Sequence, residues 1–564
     1  MRGLFKYLKE YKKHTIIGSL LKLLEAVFEV LIPFIMAKMI NLSLFTDGDY
    51  RLVFIYGIVI IILVICGYVC ALICQRMASI VSAGFGKNIR LDMYSHIEKL
   101  KLIDVEKYSS TSLSTRIGID VTNCEKAIAY AIRLLSRVPF LILGAIVMSL
   151  IINIYFGLVF IGIAIILIFG ISVIVRKSIK GYTESQSKFD DISKIVLENI
   201  DGVKSVRSYL MEEEEIISYE KEVSLYNSRL KKATFLTQVI NPFTYLIINV
   251  AVIVVLYMSG VFILSNKMLV GDVSALVNYM NMILLALLVM AMLIVVYTKA
   301  FTSAKRINEI LNIKVDEETT NTIIKDNLKI EFKNLSFGYS SNLVLNNINL
   351  VINPNEHIGI IGPTSSGKSS LVNLLIKLYE INNEGIYING NDINYYVASD
   401  LRKNISLISQ EAYLLDGSIL DHFKLRDSLV SLDEVKRIIK IAKCEKIVSD
   451  KSLDYIINNT KLAFSLGEIQ RLCIGRGLVG EFKLLIFDDC FSALDNITEK
   501  EILESILNEY KCGIIFISQR IDTIKKFKKI IVMNEGRIEC IGNHEQLLDK
   551  SITYKTLYDL QVGK

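Results

Sequence analysis

The stretch His357–Ser370, HIGIIGPTSSGKSS, decides the fold of the second half of the chain. Its apolar beginning predicts a buried strand, and the LVNLLIKLY that follows predicts a helix. Between the two, G-x-x-x-x-G-K-S from Gly362 to Ser369 is typical of a loop that binds nucleotide phosphates. A strand, a glycine-rich loop and a helix in this order predict an α/β P-loop NTPase domain, which we place at 328–564.

Each residue type in this loop has a physical role. Gly362 and Gly367 let the backbone curl so that its N–H groups converge on phosphate oxygens. Lys368 supplies a positive charge to the terminal phosphates, and Ser369 offers a hydroxyl to Mg²⁺. The helix that begins near Lys368 points its positive end at the same anion. The remaining loop residues that we expect to bind the nucleotide are Thr364, Ser365, Ser366 and Ser370.

A second apolar strand, KLLIFDD at Lys483–Asp489, ends in two carboxylates. Asp488 is positioned to hold Mg²⁺, and Asp489 is positioned to polarise the attacking water. An apolar strand that ends in two aspartates is common by itself. Downstream of a phosphate loop, it indicates a nucleoside triphosphatase.

The first 300 residues have a different character, because uncharged apolar runs long enough to cross a bilayer crowd there. The 564-residue chain is 52% hydrophobic, which excludes intrinsic disorder, a collagen-like repeat or a small disulfide scaffold. The net charge of +6 is mild, and we expect no nucleic acid partner. The sequence predicts an all-α membrane domain over 1–312 with six spans, near 15–40, 53–74, 138–153, 155–175, 235–264 and 273–297. A linker is predicted at 313–327.

The distribution of charge predicts the orientation of these spans. The N-terminus, MRGLFKYLKEYKK, and the stretches 76–137 and 176–232 are basic, whereas the connection Asn41–Arg51 is acidic. Basic connections face the cytoplasm, so a multi-pass protein of the cell membrane with both termini cytoplasmic is predicted. Each basic stretch either extends the membrane helices into the cytosol, which we favour, or forms a small inserted domain.

Three charged residues, Lys22, Glu25 and Glu29, share one face of the first predicted span. Two interpretations of them remain open. An ionisable group inside a membrane span is a candidate functional residue. Alternatively, the three side chains pair with each other or lie near the membrane surface.

Taken together, these features resemble an ATP-binding cassette (ABC) exporter half-transporter, in which six membrane helices precede one nucleotide-binding domain. The resemblance covers essentially the whole chain. HIEKLKLIDVEKYSSTSLSTRIGIDV at His96–Val121 resembles the first intracellular arm of this family, and LENIDGVKSVRSYLMEEE at Leu197–Glu214 resembles the second. The resemblance implies ATP and Mg²⁺ as ligands. It also implies short helices at the arm tips that transmit movement, near Ile103–Ser109 and Glu212–Ile216.

Further residues acquire roles through this resemblance alone. Tyr339 corresponds to the aromatic residue that stacks on adenine, although a core aromatic is the other interpretation. Gln410 corresponds to the residue that senses Mg²⁺ and the coupling arms. SALD at Ser492–Asp495 corresponds to the loop that crosses the dimer interface.

The chain departs from the family pattern at three places. The signature, usually LSGGQ, is FSLGE at Phe464–Glu468. It keeps Ser465 and Gly467 but adds the bulk of leucine and the charge of Glu468. The catalytic glutamate is replaced by Asp489, which is one methylene shorter, and the switch histidine by Gln519. These changes predict a site that binds ATP well and hydrolyses it slowly.

The functional prediction follows from this combination. We expect a subunit of an ATP-driven exporter that moves a small molecule, lipid or peptide out across the bilayer. A second ABC half-transporter is the expected partner, with a heterodimer favoured over a homodimer because a better-equipped partner could supply what this chain lacks. A membrane regulator or sensor that ATP switches without pumping is the alternative.

Overall fold

The computed structural model describes residues 2–45, 50–315, 324, 327–339, 342–381, 384–458 and 463–562. The chain divides into two compact units. The first comprises Met1–Leu100 and Val105–Lys314, and the second comprises Lys101–Asp104 and Val315–Lys564. Most of the predicted linker at 313–327 lies outside the described residues.

The first unit is helical. Arg2–Tyr11 forms a 3₁₀-helix, and Arg116–Asp120 and Ala131–Leu135 form π-helical turns within longer helical stretches. The α-helices are Lys12–Phe45, Tyr50–Ile97, Leu102–Tyr108, Ser110–Thr115, Val121–Tyr130, Arg137–Ile152, Ile154–Asp201, Val203–Ser208, Glu212–Gln238, Ile240–Leu264 and Val270–Leu311. Several continue far beyond their apolar runs, which is the arrangement favoured from the sequence for the basic stretches.

Five helices in the described part of the chain are long and apolar enough to cross a membrane, which indicates a multi-pass membrane protein. They are Arg51–Ile97, Ser110–Ile152, Ile154–Ile179, Glu212–Leu264 and Val270–Leu311. The first predicted span, 15–40, lies within the helix Lys12–Phe45, which is not one of the five. The six-span arrangement therefore stays a prediction.

Two local breaks explain how the helices are divided. Asn153 adopts an extended conformation after Ile152, and its side chain accepts a hydrogen bond from the Tyr155 N–H at 3.0 Å. This cap begins the next helix at the polar break that the sequence indicated. In the second arm, the prediction of a short helix at Glu212–Ile216 was wrong. The short helix is Val203–Ser208, because Leu210 takes a positive φ of 56° that interrupts the chain before the longer helix.

The three charged residues of the first predicted span are paired. Lys22 Nζ lies 2.7 Å from Glu25 Oε2, and both side chains are largely buried. Glu29 forms a two-pronged ion pair with the Arg137 guanidinium, at 2.6 and 2.8 Å from Nη2. Pairing among neighbours therefore accounts for Lys22 and Glu25. The partner of Glu29 is a residue that the sequence analysis did not consider.

The second unit contains twelve strands in its described residues. They are β1 (Ile330–Phe337), β2 (Leu345–Ile352), β3 (His357–Ile361), β4 (Ile386–Ile388), β5 (Asn391–Asp392), β6 (Ile405–Ile408), β7 (Gly417–Ser418), β8 (Ile456–Ile457), β9 (Leu484–Asp488), β10 (Gly513–Ile517), β11 (Lys529–Asn534) and β12 (Arg537–Gly542). The main sheet has the order β12-β11-β3-β10-β9-β6, beside sheets ordered β2-β1-β4-β5 and β7-β8.

Helices cover this sheet, as expected of an α/β domain. They are Lys368–Leu375, Ala398–Asn404, Ile419–Lys424, Leu432–Ile441, Glu445–Lys451, Leu466–Gly477, Asn496–Glu509, Ile521–Ile524, His544–Lys550 and Ile552–Val562, with a 3₁₀ turn at Ile393–Tyr395. The fold class predicted from the sequence, a helical membrane domain followed by an α/β nucleotide-binding domain, is confirmed.

The parallel strands of the main sheet position the site. β3 pairs with β10, β10 with β9, and β9 with β6, all in parallel. Every residue of β9 and β10 is buried, which explains why both strands are apolar in the sequence except for Asp488 at the end of β9. Since parallel strands end at the same edge, the segments after β3, β6, β9 and β10 meet there.

Candidate functional site

Gly362 and Gly367 fit the phosphate loop for reasons of space and backbone conformation. A Cβ atom on Gly362 would lie 2.1 Å from the Met533 carbonyl oxygen, so the backbone there approaches too closely for a side chain. Gly367 has a φ of 94° and caps the helix Lys368–Leu375. A left-handed residue at this place favours glycine, which has no Cβ to clash in that conformation.

Lys368 is buried in the curl of the loop, with 7% of its surface exposed. Its Nζ donates hydrogen bonds to the Gly362 and Pro363 carbonyl oxygens at 3.0 and 2.6 Å, and to Ser366 Oγ at 3.1 Å. Burial lowers the pKa of Lys368, while the nearby Asp489 and Asp488 charges oppose that shift. The loop therefore holds one cation at its centre.

Ser369 and Asp488 lie side by side, although they are far apart in the sequence. The Ser369 hydroxyl donates to Asp488 Oδ1 at 2.9 Å. Burial raises the pKa of Asp488, which is 5% exposed. A hydroxyl and a carboxylate together suit Mg²⁺, which prefers oxygen ligands and usually takes one or two carboxylates plus phosphates and water.

Asp489 and Gln519 meet at the ends of β9 and β10. Gln519 Nε2 donates to Asp489 Oδ2 at 3.2 Å, and burial raises the pKa of Asp489. Gln410 is exposed two residues after β6, whose last residue, Ile408, lies opposite Phe487 in β9. Gln410 therefore belongs to the same edge of the sheet as the two aspartates.

Tyr339 lies in an aromatic corner next to the phosphate loop. Its hydroxyl donates to Ser370 Oγ at 3.0 Å, and 39% of the residue is exposed. Its ring packs edge-on against Tyr379, with centroids 4.8 Å apart, and against Phe337. The exposure disfavours the core interpretation, and Tyr379 is a neighbour that the sequence analysis missed.

The other loop residues differ in exposure. Thr364 and Ser365 are exposed, and Ser365 has a positive φ of 64°. Ser366 is buried beneath them and accepts from Lys368. The exposed pair forms the outer surface of the loop.

The signature segment forms the start of the helix Leu466–Gly477. Ser465 is the N-cap, and its Oγ accepts from the Glu468 N–H at 3.4 Å. Glu468 Oε2 in turn accepts from the Ser465 N–H and hydroxyl at 2.8 and 2.9 Å. The Ser465 N–H lowers the pKa of Glu468. The Glu468 carboxylate therefore already accepts from the N–H and the hydroxyl of Ser465 at the start of the helix.

Two residues that the sequence analysis missed hold the loop at Ser492–Asp495. Buried Gln470, from the signature helix, donates to Ser492 Oγ and accepts from the Ala493 N–H. Arg520 donates to the Ser492 and Leu494 carbonyl oxygens. Gln470 lies two residues after the signature, and Arg520 directly follows Gln519. These positions could have indicated both residues from the sequence.

The structure assembles one group of the predicted residues around the phosphate loop and leaves the signature group apart. Tyr339, Lys368, Ser369, Asp488 and Asp489 belong to the first group through the contacts above. Across the described residues, no hydrogen bond connects Ser465 or Glu468 to the phosphate loop. These residues also contain no cluster of three or more histidine, cysteine, aspartate or glutamate side chains that could hold a metal.

Known proteins share both the sequence patterns and the fold. Residues 15–288 match the ABC transporter transmembrane region, and residues 345–492 match the ABC transporter domain. The chain is 30% identical over 570 residues to the uncharacterized ABC transporter ATP-binding protein YfiB of Bacillus subtilis, spanning 100% of this chain and 99% of YfiB. It is 25% identical over 578 residues to YfiC of the same organism, with 100% and 94% covered.

A solved structure supports the same conclusion at the level of the fold. A bacterial Atm1-family ABC exporter with ATP bound superimposes with a TM-score of 0.85 at 19% identity, covering 98% of this chain and 99% of that one. The chain therefore belongs to the ABC transporter family and has the architecture of a half-transporter.

Proposed function

We propose that this protein is a subunit of an ATP-driven exporter whose own phosphate loop binds ATP tightly and supports slow hydrolysis. The observation that carries the proposal is the cluster of Lys368, Ser369 and Asp488, which joins a buried cation, a hydroxyl and a carboxylate at one loop. This is the set of groups that binding a nucleoside triphosphate requires.

ATP binding follows from the loop. Its N–H groups and the helix start at Lys368 attract the phosphates, and Lys368 exchanges its bonds to loop oxygens for bonds to phosphate oxygens. Tyr339 is 39% exposed and supplies an aromatic ring on which adenine can stack. Magnesium, bound with ATP near Ser369, Asp488 and Gln410, would neutralise charge on the phosphates.

Slow hydrolysis follows from Asp489 and Gln519. The carboxylate of aspartate ends about 1.5 Å short of that of a glutamate, and a general base must be within hydrogen-bond reach of its water. Gln519 can donate one hydrogen bond to the terminal phosphate but carries no positive charge. A loss of about 1.4 kcal/mol of transition-state stabilisation slows a reaction tenfold.

The complete transporter consists of two half-transporters. In the proposed dimer each phosphate loop faces the partner's signature, and a heterodimer supplies a glutamate and a histidine that this chain lacks. ATP closes the nucleotide-binding domains, the arm-tip helices transmit the movement, and the membrane domains alternate access by rigid-body motion. The basic connections support a cytoplasmic location of both termini in a protein of the cell membrane.

The decisive experiment measures ATP binding by the purified full-length chain with a fluorescent ATP analogue. Lys368→Met should weaken binding at least tenfold, because it removes the charge at the centre of the loop. Lys500→Met, at an exposed position on another helix, is the matched control and should bind as the parent does. Equal affinity of Lys368→Met and the parent would contradict the proposal.

The second candidate function is an ATP-switched regulator, which the replacements Asp489 and Gln519 favour because they weaken hydrolysis. A transport measurement distinguishes it from an exporter. Inside-out vesicles that contain this chain and a co-expressed partner should accumulate a labelled compound when ATP is supplied. ATP-dependent association of the two subunits without accumulation of any compound would favour the regulator. Rapid ATP turnover by this chain alone would contradict the unequal sites.

A further inference from the structure

We propose that the ion pair of Glu29 and Arg137 faces water on the inner wall of the membrane domain, so that these two residues line the route of the cargo. That this water-filled face is the cargo route rests on the proposed function. Its contact with water rests separately on the exposure of the pair and on the predicted first span, 15–40.

The geometry of the pair is that of a strong, fixed interaction. Arg137 Nη2 lies 2.6 Å from Glu29 Oε2 and 2.8 Å from Oε1, while Nε lies 3.2 Å from Oε2. The two residues are 108 positions apart and join the helices Lys12–Phe45 and Arg137–Ile152. Nevertheless, 37% of the Glu29 side chain and 27% of the Arg137 side chain remain exposed.

The pair lies within the thickness of the bilayer. The helix Arg137–Ile152 has 16 residues and ends at the Asn153 turn, so Arg137 lies about 24 Å from that turn. Glu29 lies at a similar distance, about 24 Å, from the end of its own helix at Phe45. The hydrocarbon core is about 30 Å thick. With the turn at one membrane surface, the exposed pair lies inside the core, where contact of two charges with lipid is costly.

The helix Lys12–Phe45 separates its charged and apolar surfaces. At about 100° per residue, Lys22 and Glu25 lie within about 40° of Glu29 around the helix axis. Most of the exposed apolar residues lie about 120–180° away from Glu29 on the opposite side. Among them are Leu20, Leu24 and Val27, with 59%, 43% and 45% exposed, whereas Leu44, near the Phe45 end, is exposed about 60° from Glu29. The apolar side suits lipid, and the charged side suits water.

Chemical labelling in lipid nanodiscs tests this assignment, because both membrane surfaces are then open to a reagent. The test variant is Glu29→Cys with Arg137→Gln, which introduces a thiol without leaving an unpaired guanidinium. The control is Val27→Cys with Glu29→Gln and Arg137→Gln, which leaves no unpaired charge and places a thiol at similar exposure but two residues closer to the Lys12 end of the helix. The probe is a membrane-impermeant sulfonate methanethiosulfonate, quantified on the peptide that carries residues 27 and 29.

We expect the cysteine at 29 to react at least tenfold faster than the cysteine at 27. Equal rates, or a faster reaction at position 27, would overturn the proposal. If the pair were exposed only at the lipid headgroups, the cysteine at 27 would react at least as fast, because it lies nearer the Lys12 end of the helix. The peptide-level readout separates these sites from the nine native cysteines, of which Cys66 is exposed.

A reciprocal variant guards against misfolding. Arg137→Cys with Glu29→Gln should react as fast as the cysteine at 29, and a rate as slow as that at position 27 would contradict the proposal. None of these measurements requires ATP. Slow labelling would overturn this inference and leave ATP binding at Lys368 untouched, whereas loss of transport would bear on the proposed function alone.

Discussion

At the residue scale, the fold buries a carboxylate beside the phosphate loop. Asp488 is 5% exposed, and its Oδ1 accepts one hydrogen bond from Ser369. Burial raises the pKa of Asp488, so the folded protein holds this proton to a higher pH than the unfolded chain does. Stability therefore falls as the pH rises above the ordinary aspartate value, because the ionised group is disfavoured in the folded state.

The first prediction is that Asp488→Asn raises the melting midpoint of the nucleotide-free protein at pH 7.5. Asparagine has an oxygen that can still accept from Ser369 and carries no charge. The difference from the parent should shrink toward zero as the pH falls to about 4. A thiol-reactive dye can follow the midpoint, since unfolding exposes buried cysteines such as Cys490.

Asp433→Asn is the control for this pH dependence. Its side chain is 96% exposed, so loss of its charge should leave the midpoint nearly unchanged. A lower midpoint for Asp488→Asn than for the parent at pH 7.5 would contradict the assignment of a burial cost to Asp488.

The second prediction concerns ATP hydrolysis. Asp489→Glu combined with Gln519→His should raise the ATP turnover of the full-length chain at least tenfold, because the carboxylate gains about 1.5 Å of reach and the terminal phosphate gains a residue that can carry a positive charge. Phosphate release measures the rate, and Lys368→Met in the same background gives the non-enzymatic level. Unchanged turnover in the double variant would show that another step limits the site.

At the element scale, single side chains decide where helices begin and end. Asn153 separates two membrane helices by capping the Tyr155 N–H, and Asp495 caps the helix Asn496–Glu509 by accepting from the Thr498 N–H at 2.9 Å. Buried polar side chains also connect helices. Asp120, which is 3% exposed, accepts from Ser303 Oγ at 2.7 Å and thereby fixes the first arm to the last helix, Val270–Leu311.

The third prediction is that Asn153→Ala destabilises the membrane domain by about 1 kcal/mol, because it removes the helix cap. The loss should appear as a lower denaturation midpoint in mild detergent. Asn153→Asp is the control, since aspartate caps a helix as well as asparagine does. Equal stability of the alanine and aspartate variants would contradict a capping role for this side chain.

At the scale of the whole molecule, we expect Glu468 to affect how two half-transporters associate. Its carboxylate accepts from Ser465 at the start of the signature helix, where the partner's terminal phosphate would approach in the proposed dimer. The negative charge and the occupied Ser465 donors both oppose that approach.

The fourth prediction is that Glu468→Gln lowers the MgATP concentration needed for half-maximal association of the subunits by about tenfold, which corresponds to about 1.4 kcal/mol. Glutamine preserves the cap of the helix and removes the charge. Energy transfer between labelled subunits in nanodiscs measures the association. Glu504→Gln removes a charge from another exposed helix surface and should have no such effect, and an identical shift in both variants would point to net charge instead.

The sequence by itself determined the fold class and indicated the residues of the candidate phosphate loop, because these signals are local. The phosphate loop is one continuous stretch in which glycine spacing, backbone conformation and charge act on neighbouring residues. The apolar runs of the membrane half and the apolar strand before Asp488 are equally local. The prediction from local sequence was wrong for the short helix of the second arm. Leu210 adopts a left-handed conformation there, which is unusual for leucine.

The tertiary structure alone decided which distant groups meet. Arg137 as the partner of Glu29, Gln470 against Ser492 and Ser369 against Asp488 join residues that are 108, 22 and 119 positions apart. Such contacts depend on how helices pack and how parallel strands align. The residues that surround a position in a single sequence do not indicate which distant residue it contacts. The chemistry of each side chain can therefore be predicted from the sequence, whereas its partner is determined by the tertiary packing.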